Sequence, residues 1–292
     1  MSDGKNGSHR LIGQMAAVRG PGFQTVAEQP PTKTFSEAES YSESRRVRGE
    51  PWVLLLTATV RPPTGMTLTK RADPEQRLQD YVASAAFWSR ITDLPIVFCE
   101  NSGYDLSEID KALQGRQGRY ELVSFVAPPI PREKGKGYGE IYIMREALER
   151  SAVIGPATRV IKVTGRLRIT NFPQVFSKMS TRPCDVCVDL MSSLKTSDCR
   201  MFAATPRFLE EYLFPEAEKL NETVKPCILL EEILASATLR MVADRGDWQL
   251  MPVDPKWVGR SGYHDRHYTN RQVPIRQAVK SLRRFLMNRW GL

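Results

Sequence analysis

The chain has 292 residues, with 42 lysines and arginines against 33 aspartates and glutamates, five cysteines and three histidines. Its length allows one large domain or two small ones, and 41% hydrophobic with 26% charged residues excludes fibrous and wholly disordered classes. An odd, thinly spread set of cysteines builds no disulfide framework and favours a reducing cytoplasm. His9, His264 and His267 fall outside the apparent core, which argues against a histidine-based mechanism.

Residues 1–50 carry much Gly, Ser, Pro, Glu and Arg, and read as a flexible arm without a secretion signal. From Pro51, apolar runs and helical patterns alternate. Trp52 to Val60 (WVLLLTATV) is a continuous apolar run, fit for a strand covered on both faces. It is far shorter than the roughly 20 apolar residues of a bilayer span. Asp73 to Arg90 opens with an Asp-Pro helix start and sets Leu78, Tyr81, Val82 and Ala85 on one face. Pro95 to Glu100 predicts a second buried strand, Asp105 to Gln114 a helix with an aspartate cap, and Tyr120 to Ala127 a third strand. A helix over Gly139 to Ala152 and a fourth strand over Arg159 to Ile169 follow. Cys184 to Met191 adds a strand, and two helices are predicted around Pro206 to Leu213 and Leu229 to Val242. This alternation predicts an α/β fold: a mostly parallel, Rossmann-type sheet with helices on both faces, in a single main domain over 51–258.

The tail over 259–292 holds eight basic residues against one acid, Asp265, and so +7 of the chain's +9. Ile275, Val279, Leu282 and Leu286 fall at helical spacing, Phe285 and Trp290 widen the apolar side, and arginines fill the rest. Such a helix either lies on an anionic membrane surface or packs on the body with its basic face in water. The body is close to neutral and no reader motif is present, so nucleic acid is not an expected partner.

In an open α/β sheet the ligand lies beyond the carboxyl ends of the strands, so the residues there are the site candidates. The first strand ends in Thr57 and Thr59, then Arg61; the second in Glu100, Asn101 and Ser102, able to read a base or ribose or simply to make a turn. The third is followed by Lys134-Gly-Lys-Gly-Tyr-Gly139, where Lys134, Lys136 and Gly137 offer positive charge and close backbone approach just before a helix. Its spacing matches neither a Walker A loop nor a dinucleotide fingerprint. In the fourth strand Lys162, Thr164 and Arg166 alternate onto one face, with Gly165 between them, and two cations there need a diphosphate or a partner carboxylate. Cys184 and Cys187, with Cys199 and Cys227, supply one close pair where structural zinc takes two, and read as core cysteines.

The LLTATV strand, the DPEQRLQDY helix, FCENSG, KGKGYGE and KVTGRLRITN, in that order within residues 52–240, resemble a bacterial glycosyltransferase group of lipopolysaccharide O-antigen and capsule assembly with a GT-A-like fold. The resemblance implies a nucleotide-sugar donor across the first strands and a glycan or lipid-linked acceptor opposite, at the inner face of the cytoplasmic membrane if the tail binds lipid. The chain departs from the wider GT-A pattern in having no Asp-x-Asp after the fourth strand. Lys162 and Arg166 are expected to neutralise the diphosphate without a metal, the alternative being manganese or magnesium at Asp185 and Asp189. An inverting transfer needs a general base, for which Glu232, Glu231, Asp189 and Glu140 are candidates, with Glu232 preferred over Glu231. Two other readings stay open: a non-catalytic anion- or nucleic-acid-binding protein, and a nucleotidyltransferase, which calls for an acid pair the sequence does not clearly show.

Overall fold

The first strand shows no polar side because both of its faces are covered. Val53 and Leu55 enter one apolar layer; Leu54, Leu56 and Ala58 enter the other. The computed structural model describes residues 51–268 other than 67, 68, 117, 263, 264 and 266. The arm over 1–50 and the helix predicted from Ile275 onward lie outside the described residues.

In chain order the elements are β1 (Trp52–Ala58), α1 (Pro74–Ile91), β2 (Ile96–Glu100), α2 (Ser107–Leu113), β3 (Tyr120–Ser124), α3 (Gly135–Arg150) and β4 (Arg159–Thr164). There follow β5 (Arg168–Ile169), α4 (Phe172–Met179), β6 (Val186–Cys187), β7 (Leu190–Met191), β8 (Thr196–Ser197) and β9 (Met201–Ala204). The short helices α5 (Pro206–Phe208) and α6 (Phe214–Glu216) flank a wide π-type turn, and α7 (Leu230–Ala243), β10 (Trp248–Gln249), β11 (Trp257–Arg260) and β12 (His267–Tyr268) close the series.

Seven strands form the main sheet in the order β10-β6-β9-β4-β1-β2-β3, and β4, β1, β2 and β3 are mutually parallel. Only β9 runs against its neighbours. Side chains of α1, α2 and α4 pack with Leu54, Leu56 and Phe98 on one face; those of α3 and α7 pack with Val53, Leu55 and Val97 on the other. The α/β expectation is therefore met. Asp73 caps α1 as predicted, its Oδ1 accepting from the Gln76 amide at 2.8 Å with Pro74 at the first helical position.

Three local expectations are corrected. The fourth strand stops at Thr164, not Ile169. Gly165 N donates to Thr57 O at 2.9 Å, and a Cβ at Gly165 would stand 2.7 Å from that same oxygen, so only glycine fits the approach. The Trp88 indole and the Ser84 hydroxyl both donate to Leu167 O, at 3.0 and 3.1 Å, pinning the turn to α1. β5 then leaves for a three-stranded sheet with β11 and β12. Second, the glycines of Lys134–Gly139 are not a loop but the opening turn of α3, which starts at Gly135. Third, the Cys184–Met191 run breaks into β6 and β7, which belong to different sheets.

Candidate functional site

From β1 the chain steps outward through β2 to β3, then returns to the other side of β1 as β4. The crevice at the carboxyl ends of β1 and β4 is thus the switch point of the sheet. Thr57 reaches it from β1 and Thr59 from the residue directly after, Thr164 from the end of β4 with Gly165 and Arg166 in the turn that follows, Asn101 from the residue after β2, and Glu140 from the second turn of α3.

Its floor is an ion pair. Lys162, 0% exposed, places Nζ 2.5 Å from Glu140 Oε1. Thr57 Oγ1 and Thr164 Oγ1 donate to the same carboxylate oxygen at 2.9 and 3.2 Å, and Lys162 also donates to Cys199 O at 2.7 Å. Burial opposes the charge on Glu140, but the lysine and the two hydroxyls outweigh it and hold the carboxyl below its ordinary pKa. The Cys199 thiol donates to Glu231 Oε1 at 3.3 Å. Burial, with Glu231 beside it, pushes that thiol well above its ordinary range, so it remains a donor.

The rim is built from the loops after β1 and β2. Glu100 is fully buried, and its carboxylate accepts from the amides of Val60, Ser102 and Tyr104 at 2.8, 2.9 and 3.0 Å and from the Ser102 hydroxyl. This ties the two loops into one edge. Thr59 Oγ1 donates to Asn101 Oδ1 at 2.7 Å, the Arg61 amide donates to Ser102 Oγ at 3.0 Å, and the exposed Arg61 guanidinium lies over the Tyr104 ring.

At the start of α3 the orphan amides already hold an anion of the protein's own. Glu222, 5% exposed, accepts from the Lys136 and Gly137 amides at 3.0 and 2.8 Å. Burial raises its pKa despite those bonds and the nearby Lys136. Lys134 turns outward to Glu218 and lies against the Tyr138 ring.

The remaining candidates separate. Arg166 does not share a face with Lys162, because the chain turns at Gly165; its guanidinium donates to Arg260 O at 3.2 Å. Glu232 faces its own helix start, accepting from the Leu229 amide at 2.9 Å, whereas Glu231 faces Cys199 and the Lys162 side. Asp189 lies beyond the carboxyl end of β6, where its carbonyl accepts from the Asp198 amide. Asp185 precedes β6, its carboxylate accepting from the Asp247 amide at 2.8 Å. Four residues of extended chain span about 13 Å, so these two acids bracket the strand. Among the described residues no three His, Cys, Asp or Glu side chains converge as a metal-ligand set.

Glu222 and Arg77 joined this region without being singled out beforehand. Glu222 sits in a polar stretch with no periodic signal. Arg77 did carry one: Arg77, Tyr81, Ser84 and Trp88 recur at helical spacing along the buried stripe of α1, and a charge on such a stripe is unusual.

No family model matches this chain, and no curated protein matches it. Solved structures do resemble it. The glycosyltransferase GlyE of Streptococcus pneumoniae TIGR4 aligns at TM-score 0.41 and 10% identity over 69% of this chain and 45% of its own. The galactosyltransferase LgtC, solved with donor and acceptor sugar analogues, aligns at 0.40 and 9% over 63% and 69%. A cytidylyltransferase of Leptospira borgpetersenii aligns at 0.38 and 9% over 70% and 77%. Likeness at this level carries over no residue role and no substrate.

Proposed function

We propose that this protein transfers a sugar from a nucleotide-diphosphate donor to a hydroxyl of a glycan or lipid-linked acceptor, in cell-surface polysaccharide synthesis, without a metal ion. The observation that carries the reading is the continuous link at the switch point from Glu140 through Lys162 and Cys199 to Glu231. It joins the donor side of the crevice, at the tips of β1 and β4, to a carboxylate on α7 that is partly open to solvent.

In this reading Thr59, Asn101 and Ser102 form the edge that receives base and ribose, and Arg166 faces the diphosphate. Lys162 is a positioning residue, since its ammonium is buried against Glu140. Glu231 takes the proton of the acceptor hydroxyl as its oxygen attacks the anomeric carbon. The bond from that carbon to the diphosphate oxygen breaks, and its electron pair leaves with the nucleotide. The product then has inverted configuration. The basic tail would hold the enzyme at the inner face of the cytoplasmic membrane, where lipid-linked acceptors are presented.

The test is thermal melting with UDP, GDP, CMP and dTDP, each in EDTA and in manganese. A nucleotide at 100 times its dissociation constant stabilises by about 2.7 kcal/mol, several degrees for this size. A shift in EDTA with one base supports the proposal and names the donor. A shift only in manganese overturns the metal-free part, and no shift with any nucleotide overturns the donor reading.

A further inference from the structure

Arg77 lies on the buried stripe of α1, 6% exposed. Its guanidinium donates from Nε to Thr59 O at 2.7 Å, from one terminal nitrogen to Arg71 O at 2.9 Å, and from the other to Tyr81 Oη at 3.2 Å. All three acceptors are neutral. Arg166, 8% exposed, donates to Arg260 O, and its Nε is buried without a partner. Among the described residues no carboxylate pairs with either guanidinium. The aspartates of this cluster are engaged elsewhere: Asp80 by Arg71 at 2.5 Å, and Asp265 by Arg71 and Arg260 at 3.2 and 3.3 Å. The two aspartates therefore serve Arg71 and Arg260, and neither pairs with Arg77 or Arg166.

Burying an ion without a counter-ion is costly, and burying two like ions near each other is more so. The strain is visible on Arg77, whose pKa is lowered by burial, with the charge of Arg166 adding to the fall. Arginine stays ionised regardless. No group among the described residues supplies the missing counter-charge, and the place is open to an anionic ligand. Position agrees with chemistry, because Thr59 directly follows β1 and Gly165, before Arg166, packs on Thr57 O. Guanidinium forks fit phosphate oxygens.

We propose that Arg77 and Arg166 form a phosphate-gripping pair at the switch point, with the diphosphate of the nucleotide sugar as its ligand. The proposal rests on the donor reading above and adds to it a residue of α1. Gly262 lies against the Arg166 guanidinium, whose terminal nitrogen a Cβ there would meet at 2.6 Å. That contact is held by two backbone bonds, from the Lys70 and Arg71 amides to Gly262 O at 3.0 and 3.4 Å, and ligand entry displaces it.

The experiment is calorimetric titration of the full chain with inorganic pyrophosphate and with nucleoside diphosphates, all in EDTA. Wild type, Arg77→Gln and Arg166→Gln are compared with Lys178→Gln, an exposed charge loss on α4. The expected result is at least a ~10-fold loss of pyrophosphate affinity in each arginine variant and none in Lys178→Gln. Unchanged affinity in folded Arg77→Gln overturns the pair, as does a wild type that binds no pyrophosphate. If Arg77→Gln does not fold, Arg77→Lys keeps the charge but not the fork; wild-type affinity in that variant also overturns the pair. Nucleotide binding that ignores Arg77 sinks the pair and leaves the transferase reading standing. Pyrophosphate binding lost in both variants, with no nucleotide bound by wild type, keeps the pair and sinks the donor reading.

Discussion

Two carboxylates in this crevice sit in opposite electrostatic situations, and pH separates them. Glu140 is ionised against a fully buried ammonium, so removing its partner leaves a buried charge uncompensated. Lys162→Ala is expected to lose about 3–5 kcal/mol, on the order of 10 °C in melting temperature. Its depressed pKa means Glu140 stabilises the fold above the unfolded value near 4.5, and that contribution fades as pH falls through the folded value. The stability gap between wild type and Glu140→Gln should therefore shrink below pH 4.5. Glu222 has the reverse sign. Its pKa is raised, so the folded state favours the protonated acid and ionisation costs stability as pH rises past 4.5. Glu222→Gln, which keeps a carbonyl for the Lys136 and Gly137 amides, should melt higher than wild type at pH 7 and equal to it at low pH. A lower melting point at pH 7 would contradict the burial argument.

At the scale of elements, the first turn of α3 shows how a glycine-rich segment becomes a helix start. Its amides are satisfied by a carboxylate folded over them, and that closeness leaves no room for side chains. A Cβ at Gly135 would meet Glu222 Oε2 at 2.2 Å, and φ there is +63°, so Gly135→Ala is expected to cost about 1–3 kcal/mol. At Gly139, in the same helix, a Cβ would meet Ile130 Cδ1 at 3.3 Å and Asn101 Nδ2 at 3.8 Å, both side-chain ends. There alanine should be neutral or gain up to about 1 kcal/mol from helix propensity. Chemical denaturation of the two variants side by side checks the contrast; equal effects would mean that Glu222 does not hold its place on the helix.

Across the whole molecule, two apolar layers sandwich the sheet and enclose most of the sulfur. Cys99, Cys184 and Cys187 are buried, and all five cysteines are thiols. Burial pushes Cys184 up to about 11 and Cys99 higher still. Iodoacetamide at pH 8 is therefore expected to leave these three unmodified in the native protein and to label all five after unfolding. Mass spectrometry counts the adducts, and five on the native protein would contradict this packing. Several buried charges sit at the strand tips, whereas Arg159 is buried at the opposite end of β4 and Glu216 on α6. At the tips Lys162 meets Glu140 of α3, while Arg77 of α1 donates to Thr59 O and Arg166 to Arg260 O.

The sequence by itself determined the layers: continuous apolar strands such as 52–58 and 96–100, an Asp-Pro helix start, and the end of the sheet where polar residues gather. Those signals are local, because period, cap chemistry and apolar run length belong to neighbouring residues. It also marked Thr57, Glu140, Lys162 and Thr164, which fold into one cluster. Only the tertiary structure decided which charge meets which. Lys162 and Arg166 are four residues apart and diverge because Gly165 must pack on Thr57 O. Glu222 caps a helix 85 residues before it, counted from Gly137, and Arg77 feels the charge of Arg166 only once α1 lies on the turn after β4. Long-range pairing follows from packing, and no periodicity within a window of one element records it.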